Sequence, residues 1–425
     1  LRMQRAASRH RLEPRPLVEL PGFMAGWQRF GRMPTDDALA DTLERLRGYT
    51  AEADVWLNDL IEARHVGVDT RQVDEAIAVN GFAWTGRGRG VVTVMPLDDL
   101  ALLDAVETPA RDQVENAFRD RTARYSFHQL VDASGQSTDA FSDALWNAVW
   151  AGAASADTLA VLRAGSARDY TLGRTAPAQP RAAGSMHASA QRHRSVARRH
   201  ARSAGFGWPG HWFLLPDDPR DDDPLTALET AKDRVRILLD RYGVVCREVA
   251  NREGGAFRWA ALFRALRIME LSGEIVSGLF FEGLSGPQFA APAALRSLER
   301  GAGTESFWVN ATDPVAPTGL GIDWPYPMPH RRVGNYLALH RGALVLTAEN
   351  YGRRLNFAPD LDDVAFAPAI ALLTHLLTVR RKVPIDSIDG ASPNESRYLT
   401  RLADVFDVAH DHRRVELVFP ARRIS

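Results

Sequence analysis

The segment Arg241-Tyr-Gly-Val-Val-Cys-Arg-Glu248 and, beyond it, Arg264-Ala-Leu-Arg-Ile-Met-Glu-Leu-Ser-Gly-Glu-Ile-Val-Ser-Gly-Leu-Phe-Phe-Glu-Gly283 decide how this chain folds. The first piece opens a helix after a Tyr-Gly turn. The second reads as an amphipathic helix whose apolar set is Phe263, Leu266, Ile268, Met269 and Leu271, stopped by Ser272-Gly273. A strand over 274–281 follows, and Gly283 and Gly286 punctuate its far end. Helix, turn, second helix and a glycine-bounded hairpin is the order of a helix-turn-helix domain with a wing. Such domains serve nucleic acid or self-assembly.

A chain of 425 residues is too long for a single core and implies about three or more modules. No run approaches the ~18 uninterrupted apolar residues of a membrane-crossing helix. The start, Leu1-Arg-Met-Gln-Arg-Ala, has no apolar signal core, so the expected compartment is the cytoplasm and no membrane partner is expected. Beginning at Leu1, the sequence reads as a piece of a longer polypeptide. Cys246 is the one cysteine, which excludes an internal disulfide framework and a cysteine-based zinc cage. Net charge is −1, so a DNA-binding role requires positive charge concentrated locally. Of the 52 basic residues only Lys232 and Lys382 are lysines, a bias that fits GC-rich codon usage and also suits bidentate phosphate contacts.

Working outward from the decisive segment, the expected fold class is α+β: tandem winged-helix modules, then a small β-barrel-like sheet, then a C-terminal α+β cap. Residues 1–104 read as a first winged helix, with Asp36-Asp37 capping a helix that aligns Leu39, Leu43 and Leu46, further helices near 56–63 and 71–79, and strands at 82–84 and 90–95. Its tip, Gly86-Arg-Gly-Arg-Gly90, offers Arg87 and Arg89 to a phosphate backbone, or else is an exposed turn charged for solubility. A second winged helix is expected over 105–168, with helices at 111–124, 127–132 and 138–151, and with Trp146 and Trp150 read as core rather than as a base-stacking platform. A basic linker spans 169–210. No acidic residue occurs between Tyr170 and Pro216, and Arg192, Arg194, Arg198, Arg199 and Arg202 collect there, either to neutralise duplex phosphates or as a codon-driven connector. The third winged helix covers 211–302. Short strands over 306–357, turning at Arg341-Gly342 and Tyr351-Gly352, make the barrel-like sheet of 303–360, since an open meander would leave two edges. Residues 361–425 form the last module.

Some chemistries are excluded. There is no phosphate-loop motif, so this stretch is not by itself an ATP motor. His-Glu-x-x-His and Gly-x-Ser-x-Gly are missing too, and His330, His340 and His375 lack metal-ligand spacing, so neither metal nor cofactor is expected. Phe281-Glu-Gly-Leu-Ser-Gly286 suits a tight wing better than a phosphate cradle, because no helix start follows it. One catalytic candidate remains, Asp313 in Ala311-Thr-Asp-Pro314. A carboxylate in a loop leaving a strand, fixed by the following proline, would orient a water against a sugar carbon, or else simply cap a turn.

The ordered series Arg241-Tyr-Gly-Val-Val, Met269 to Ile275, Phe281 to Ala290 and Ala311-Thr-Asp-Pro314 resembles the C-terminal region of the bacterial large helicase-related proteins, the Lhr family. Leu43 to Tyr49 with Trp56, and Phe127 to Ala164, resemble upstream segments of that region, so the likeness runs from about Leu39 to Val418. The resemblance implies an ATPase core elsewhere in the same polypeptide, translocation on single-stranded DNA from 3′ to 5′, a role in DNA repair, and homo-oligomerisation, as a tetramer. It also implies an architecture similar to winged-helix DNA glycosylases of the AlkZ type, with uracil excision attributed to it and Asp313 as its carboxylate. The paired glutamines of the AlkZ type have no counterpart. The reading is therefore a DNA-binding and assembling region of an Lhr-type helicase, with a DNA glycosylase as the alternative. A free-standing transcription regulator is disfavoured, because no ligand-sensing signature is present.

Overall fold

Helices begin where the sequence supplies an oxygen to the free amides of a first turn. Asp69 and Ser126 each accept from the amides that open Thr70–Val79 and Phe127–Ser134, and Gln72 and Gln129 close the reciprocal boxes. Ser137, Asp223 and Asp362 cap Thr138–Trp150, Pro224–Tyr242 and Asp363–Arg380 in the same way. The computed structural model describes residues 13–104, 110–172, 207–216, 223–301, 303–410 and 414–420. Two compact units divide the chain: Leu46–Leu57 with Asp69–Arg220, and Leu1–Arg45 with Asn58–Val68 and Asp221–Ser425. Residues expected to make one first winged helix are thus shared between the units.

The unit of Leu46–Leu57 and Asp69–Arg220 holds two small antiparallel sheets. One orders its strands Ala51–Glu52, Val91–Pro96, Phe82–Gly86, with Trp84 opposite Val94. The other orders Tyr125–Ser126, His211–Leu214, Ala154–Ala156. Strand His211–Leu214, expected to open the third winged helix, therefore completes the sheet of the second. The reason is packing: Trp212 is fully buried and meets Trp146 edge-on at 5.5 Å, and Trp208 meets the same ring at 5.4 Å. Trp150 and Tyr170 also lean on Trp146, at 5.2 and 4.8 Å. Trp146 and Trp150 are buried core, and aromatic pairs in these geometries add about 0.5–1.5 kcal/mol each beyond area burial. The helix expected over 111–124 shrinks to Asp112–Glu115. Asp120 takes the amide and hydroxyl of Thr122, both at 2.8 Å, and this local turn competes with helix.

In the other unit, the third winged helix has its expected order. Pro224–Tyr242, Val244–Val245, Arg247–Glu253, Trp259–Ser272, Val276–Gly278 and Gln288–Ala290 follow one another, and the strands pair in the order Val244–Val245, Gln288–Ala290, Val276–Gly278. The strand expected over 274–281 is ordered as sheet only at Val276–Gly278, because the side chain of Gln288 takes the amides of Phe280 and Phe281, both at 2.9 Å, that would otherwise extend the ladder.

Strands Ser306–Asn310, Tyr336–His340, Ala343–Glu349, Arg354–Phe357 and Ser387–Ile388 form one sheet in that order. Arg341 and Gly342 both adopt left-handed backbone (φ 49° and 82°), which suits the tight hairpin there. The sheet stays open and does not close into the expected barrel: its two outer strands each have one neighbour, and the last pairs in parallel. Closure is unnecessary because Asp363–Arg380 packs along one face, with His375 stacked on Trp308 at 4.1 Å and Phe366 on Phe357 at 5.6 Å. Among the described residues this is the one helix long and apolar enough to cross a membrane, and Leu372, Leu373 and Leu377 on it are fully buried. Lys382–Ile385, Val415–Val418 and Asp407–His410 make a last three-stranded sheet.

The tip hairpin is held more firmly than its glycines imply. A Cβ on Gly86 would overlap the carbonyl of Val149, and the amide of Gly88 donates to the Trp150 carbonyl at 2.9 Å. Gly86→Ala should lower unfolding stability by about 1–3 kcal/mol in urea titration. Arg89→Ala, at the exposed tip, should change it by under about 0.5 kcal/mol. Equal, small effects would mean that the hairpin is loose.

Candidate functional site

Helix Trp259–Ser272 occupies, by order in the fold, the place that a recognition helix takes in a winged module. Its buried stripe is Trp259, Leu262, Ala265, Leu266 and Met269. Phe263 and Leu271, expected on that stripe, are 39% and 82% exposed. Residues three and four apart share a face, and 262, 265, 266 and 269 set the phase. The opposite face carries exposed Arg264 and Arg267, with exposed Arg258 at the N-cap. Arg267 donates to Glu270, whereas Arg258 and Arg264 have no side-chain partner among the described residues. Sequence reasoning missed all three arginines. The signal was present in their spacing once the helix is phased on Leu262 rather than Phe263.

The wing beside this helix is set by fixed contacts. The Gln288 amide is fully buried, and besides taking the two amides it donates to the Phe281 carbonyl at 2.7 Å. Glu248 accepts from the Ser285 amide at 2.8 Å, and Arg236 binds Glu274 through two nitrogens at 2.8 and 3.1 Å. Burial pushes the Cys246 thiol up to about 12, so this cysteine is no nucleophile near neutral pH.

Of the two arginines in the other unit's hairpin tip, Arg87 is engaged: its guanidinium donates to the Asp104 carbonyl at 2.6 Å. Arg89 is exposed with no side-chain partner among the described residues. Arg192, Arg194, Arg198, Arg199 and Arg202 lie outside the described residues.

Asp313 is fully buried, with no open side facing solvent. Its two oxygens receive Arg64 Nη1 at 2.9 Å and Nη2 at 3.1 Å, and Oδ1 also takes the Val315 amide at 2.8 Å. Arg64 in turn uses all five of its N–H donors, with Gln28 Oε1 accepting from Nε at 3.0 Å and from Nη2, and the Leu60 carbonyl accepting at 2.6 Å. Phe30 lies under the guanidinium at 4.5 Å. The rest of loop 310–318 is clamped by two more arginines: Arg331 donates to the carbonyls of Ala311, Thr312 and Asp313, and Arg252 to those of Pro314, Ala316 and Thr318. At the loop's start Asn310 donates to Asp59 at 2.8 Å, and Asp59 also holds His375 Nε2 at 2.8 Å and the Tyr336 hydroxyl at 3.2 Å. Burial first, and then the Asp59 carboxylate, raise the Tyr336 hydroxyl far above the ordinary tyrosine value, so it stays a donor. Sequence reasoning found Asp313 but not Arg64, which sits 249 residues away in a segment with no motif. In this arrangement the buried carboxylate is paired with Arg64 and holds the start of the loop.

This geometry makes a stability prediction. Asp313→Asn or Arg64→Met should each cost about 3–5 kcal/mol, because each leaves a buried charge or its donors uncompensated. The double variant Arg64→Met with Asp313→Leu should recover part of that loss in the same urea titration. A single Asp313→Asn variant as stable as the parent would show that the pair is not buried in solution.

Residues 225–307 match the family described as large helicase-related protein, winged-helix domain. The chain is 29% identical over 422 residues to the Lhr helicase/probable uracil glycosylase of Mycolicibacterium smegmatis, covering 91% of this chain and 27% of that protein. It is 26% identical over 357 residues to the Lhr helicase/uracil glycosylase of Escherichia coli, covering 75% of this chain and 22% of that protein. The chain thus spans only about a quarter of the length of these relatives. A solved structure, the Streptomyces sahachiroi DNA glycosylase AlkZ, overlays with a TM-score of 0.47 and 14% identity, covering 86% of this chain and 96% of that one. A likeness of that size leaves the fold to be argued from this chain itself. The matched winged helix and the two aligned relatives make this chain a relative of the C-terminal region of the large helicase-related proteins.

Proposed function

We propose that this chain is the DNA-binding region of an Lhr-type DNA-repair helicase, acting in the same polypeptide as a helicase core and assembling with copies of itself, as a tetramer. The observation that carries the reading is the outer face of helix Trp259–Ser272, where Arg258 and Arg264 are exposed and have no side-chain partner among the described residues, beside a wing held by Gln288. Guanidinium groups on such a face meet phosphates without reading sequence. Arg89 in the other unit, and the run from Arg192 to Arg202, are further candidates for phosphate contact in their own right.

A second reading, base excision, is favoured by the names of both relatives, which include uracil glycosylase. In that reading Asp313 is a positioning residue: it fixes loop 310–318, and an excision defect in its variants follows from loss of that loop rather than of a proton acceptor.

Two measurements test these statements. Replacing Arg258, Arg264 and Arg267 by Gln should weaken binding to unrelated DNA sequences alike and lower the log–log salt slope by up to about 3. An unchanged slope would remove this helix from the interface. Light scattering after size-exclusion chromatography should show self-association without nucleotide or DNA, since a net charge of −1 resists it little and Leu271 and Leu279 are 82% and 59% exposed. A strictly monomeric mass at micromolar concentration would refute assembly by this region.

A further inference from the structure

Inside the unit of Leu46–Leu57 and Asp69–Arg220, a cavity of about 120 Å³ lies where the two small sheets bring their edges together. Phe82–Gly86 is the last strand of one sheet and Ala154–Ala156 that of the other, and the Ser155 hydroxyl donates to the Trp84 carbonyl across the gap. The backbone groups on these edges follow from the pairing. The Arg87 amide donates to the Val91 carbonyl at 2.8 Å, and the Gly48 amide takes the Val94 carbonyl at 3.0 Å from the other side. Antiparallel pairs alternate, so Ala83 and Thr85 spend their backbone groups on strand Val91–Pro96, whereas those of Phe82 and Trp84 point out of the open edge. In the second sheet the Asp157 amide donates to the His211 carbonyl at 3.0 Å, so the adjacent pair Ala156–Trp212 leaves the backbone groups of Ala156 pointing outward as well.

Side chains give this gap its chemistry. Ile77, Phe82 and Leu97 supply an apolar wall. Arg124 also lines the cavity, lies over the Phe213 ring at 4.7 Å, and has no hydrogen-bond or ion-pair partner among the described residues. Asp157 is the one carboxylate of the lining, and it is occupied: it accepts from the His211 amide at 2.9 Å and faces His211 Nδ1 at 3.2 Å. An unpaired guanidinium fork beside outward backbone N–H groups is a receiver for a carboxylate. The Asp157 charge disfavours a doubly charged anion such as phosphate. Size limits the guest further: an apolar cavity of roughly 150 Å³ admits benzene, so this one takes a group of about five or six non-hydrogen atoms.

We propose that this cavity binds a carboxylate carried on a short aliphatic group, as a free acid or as the C-terminal residue of a peptide, with Arg124 holding the carboxylate and the open edge at Phe82 and Trp84 completing the contact. The site stands apart from the DNA-binding, assembly and base-excision readings and depends on none of them.

The test follows binding to the whole chain by saturation-transfer NMR. The probes are isobutyrate, an Ala-Ala-Val peptide with a free C-terminus, the same peptide amidated, and inorganic phosphate. At least one of the two acids should bind saturably, the amide should not, and phosphate should fail to displace the bound acid. Isobutyrate bound without the peptide identifies a free acid as the guest; the free peptide bound at least as well identifies a peptide terminus. Arg124→Gln should weaken binding about tenfold or more, and Arg124→Lys, which keeps the charge and loses the fork, should fall between. Both variants should keep the parent thermal midpoint, because Arg124 is exposed, and should leave the salt slope for DNA unchanged. No saturable binding of either acid, equal binding of the amide, displacement by phosphate, or an Arg124→Gln variant that binds like the parent would overturn the site. A salt slope lowered by about 1 in Arg124→Gln would make this arginine a DNA phosphate contact and overturn it too.

Discussion

A guanidinium with no water around it constrains most of what surrounds it. Arg64 is fully buried, and the cost of taking its charge out of water is offset only because every N–H finds an acceptor and one acceptor is a carboxylate. Those acceptors come from Gln28, Leu60 and Asp313, so three distant stretches must converge on one plane. Gln28 passes the constraint on, donating to the Arg241 carbonyl at 2.6 Å near the end of the first helix of the winged module. Asp313 passes it to loop 310–318, and Asn310 to the Asp59 cluster beneath the sheet helix. The winged helix and the five-stranded sheet are thereby fixed relative to the same buried charge.

Local features were legible in the sequence and distant ones were not. The helix at 36–46, the helix near 71–79 and the order of the third winged helix follow from side-chain period and capping chemistry, which act over a few residues. What failed was anything decided by a partner elsewhere. His211–Leu214 has no local signal that it belongs with Tyr125–Ser126; only Trp212 entering the tryptophan cluster decides it. An open sheet and a barrel have the same strand pattern, and the difference lies in a helix that covers one face. At the candidate site, Asp313 was found by its motif, but its meaning depended on Arg64, and a lone arginine at 64 carries no mark of its fate.

Misphasing one helix by a single residue had the largest consequence. Counting Phe263 and Leu271 as core hides Arg264 and Arg267 among neutral positions, whereas phasing on Leu262, Ala265, Leu266 and Met269 turns the same helix into a basic face. In a chain of near-zero net charge such a face is where positive charge can be concentrated without a uniformly basic surface.

The division of the chain also bears on how it comes to be folded during synthesis. One unit is assembled from Leu1–Arg45, Asn58–Val68 and Asp221–Ser425, whereas most of the other is the continuous run Asp69–Arg220. Asp59 meets His375 across 316 residues and Arg64 meets Asp313 across 249. Until the ribosome has delivered those partners, the early segment carries charged side chains whose burial would be costly. The unit built mostly from the continuous run Asp69–Arg220 therefore needs no later partner to close, whereas the other needs residues delivered after Asp221.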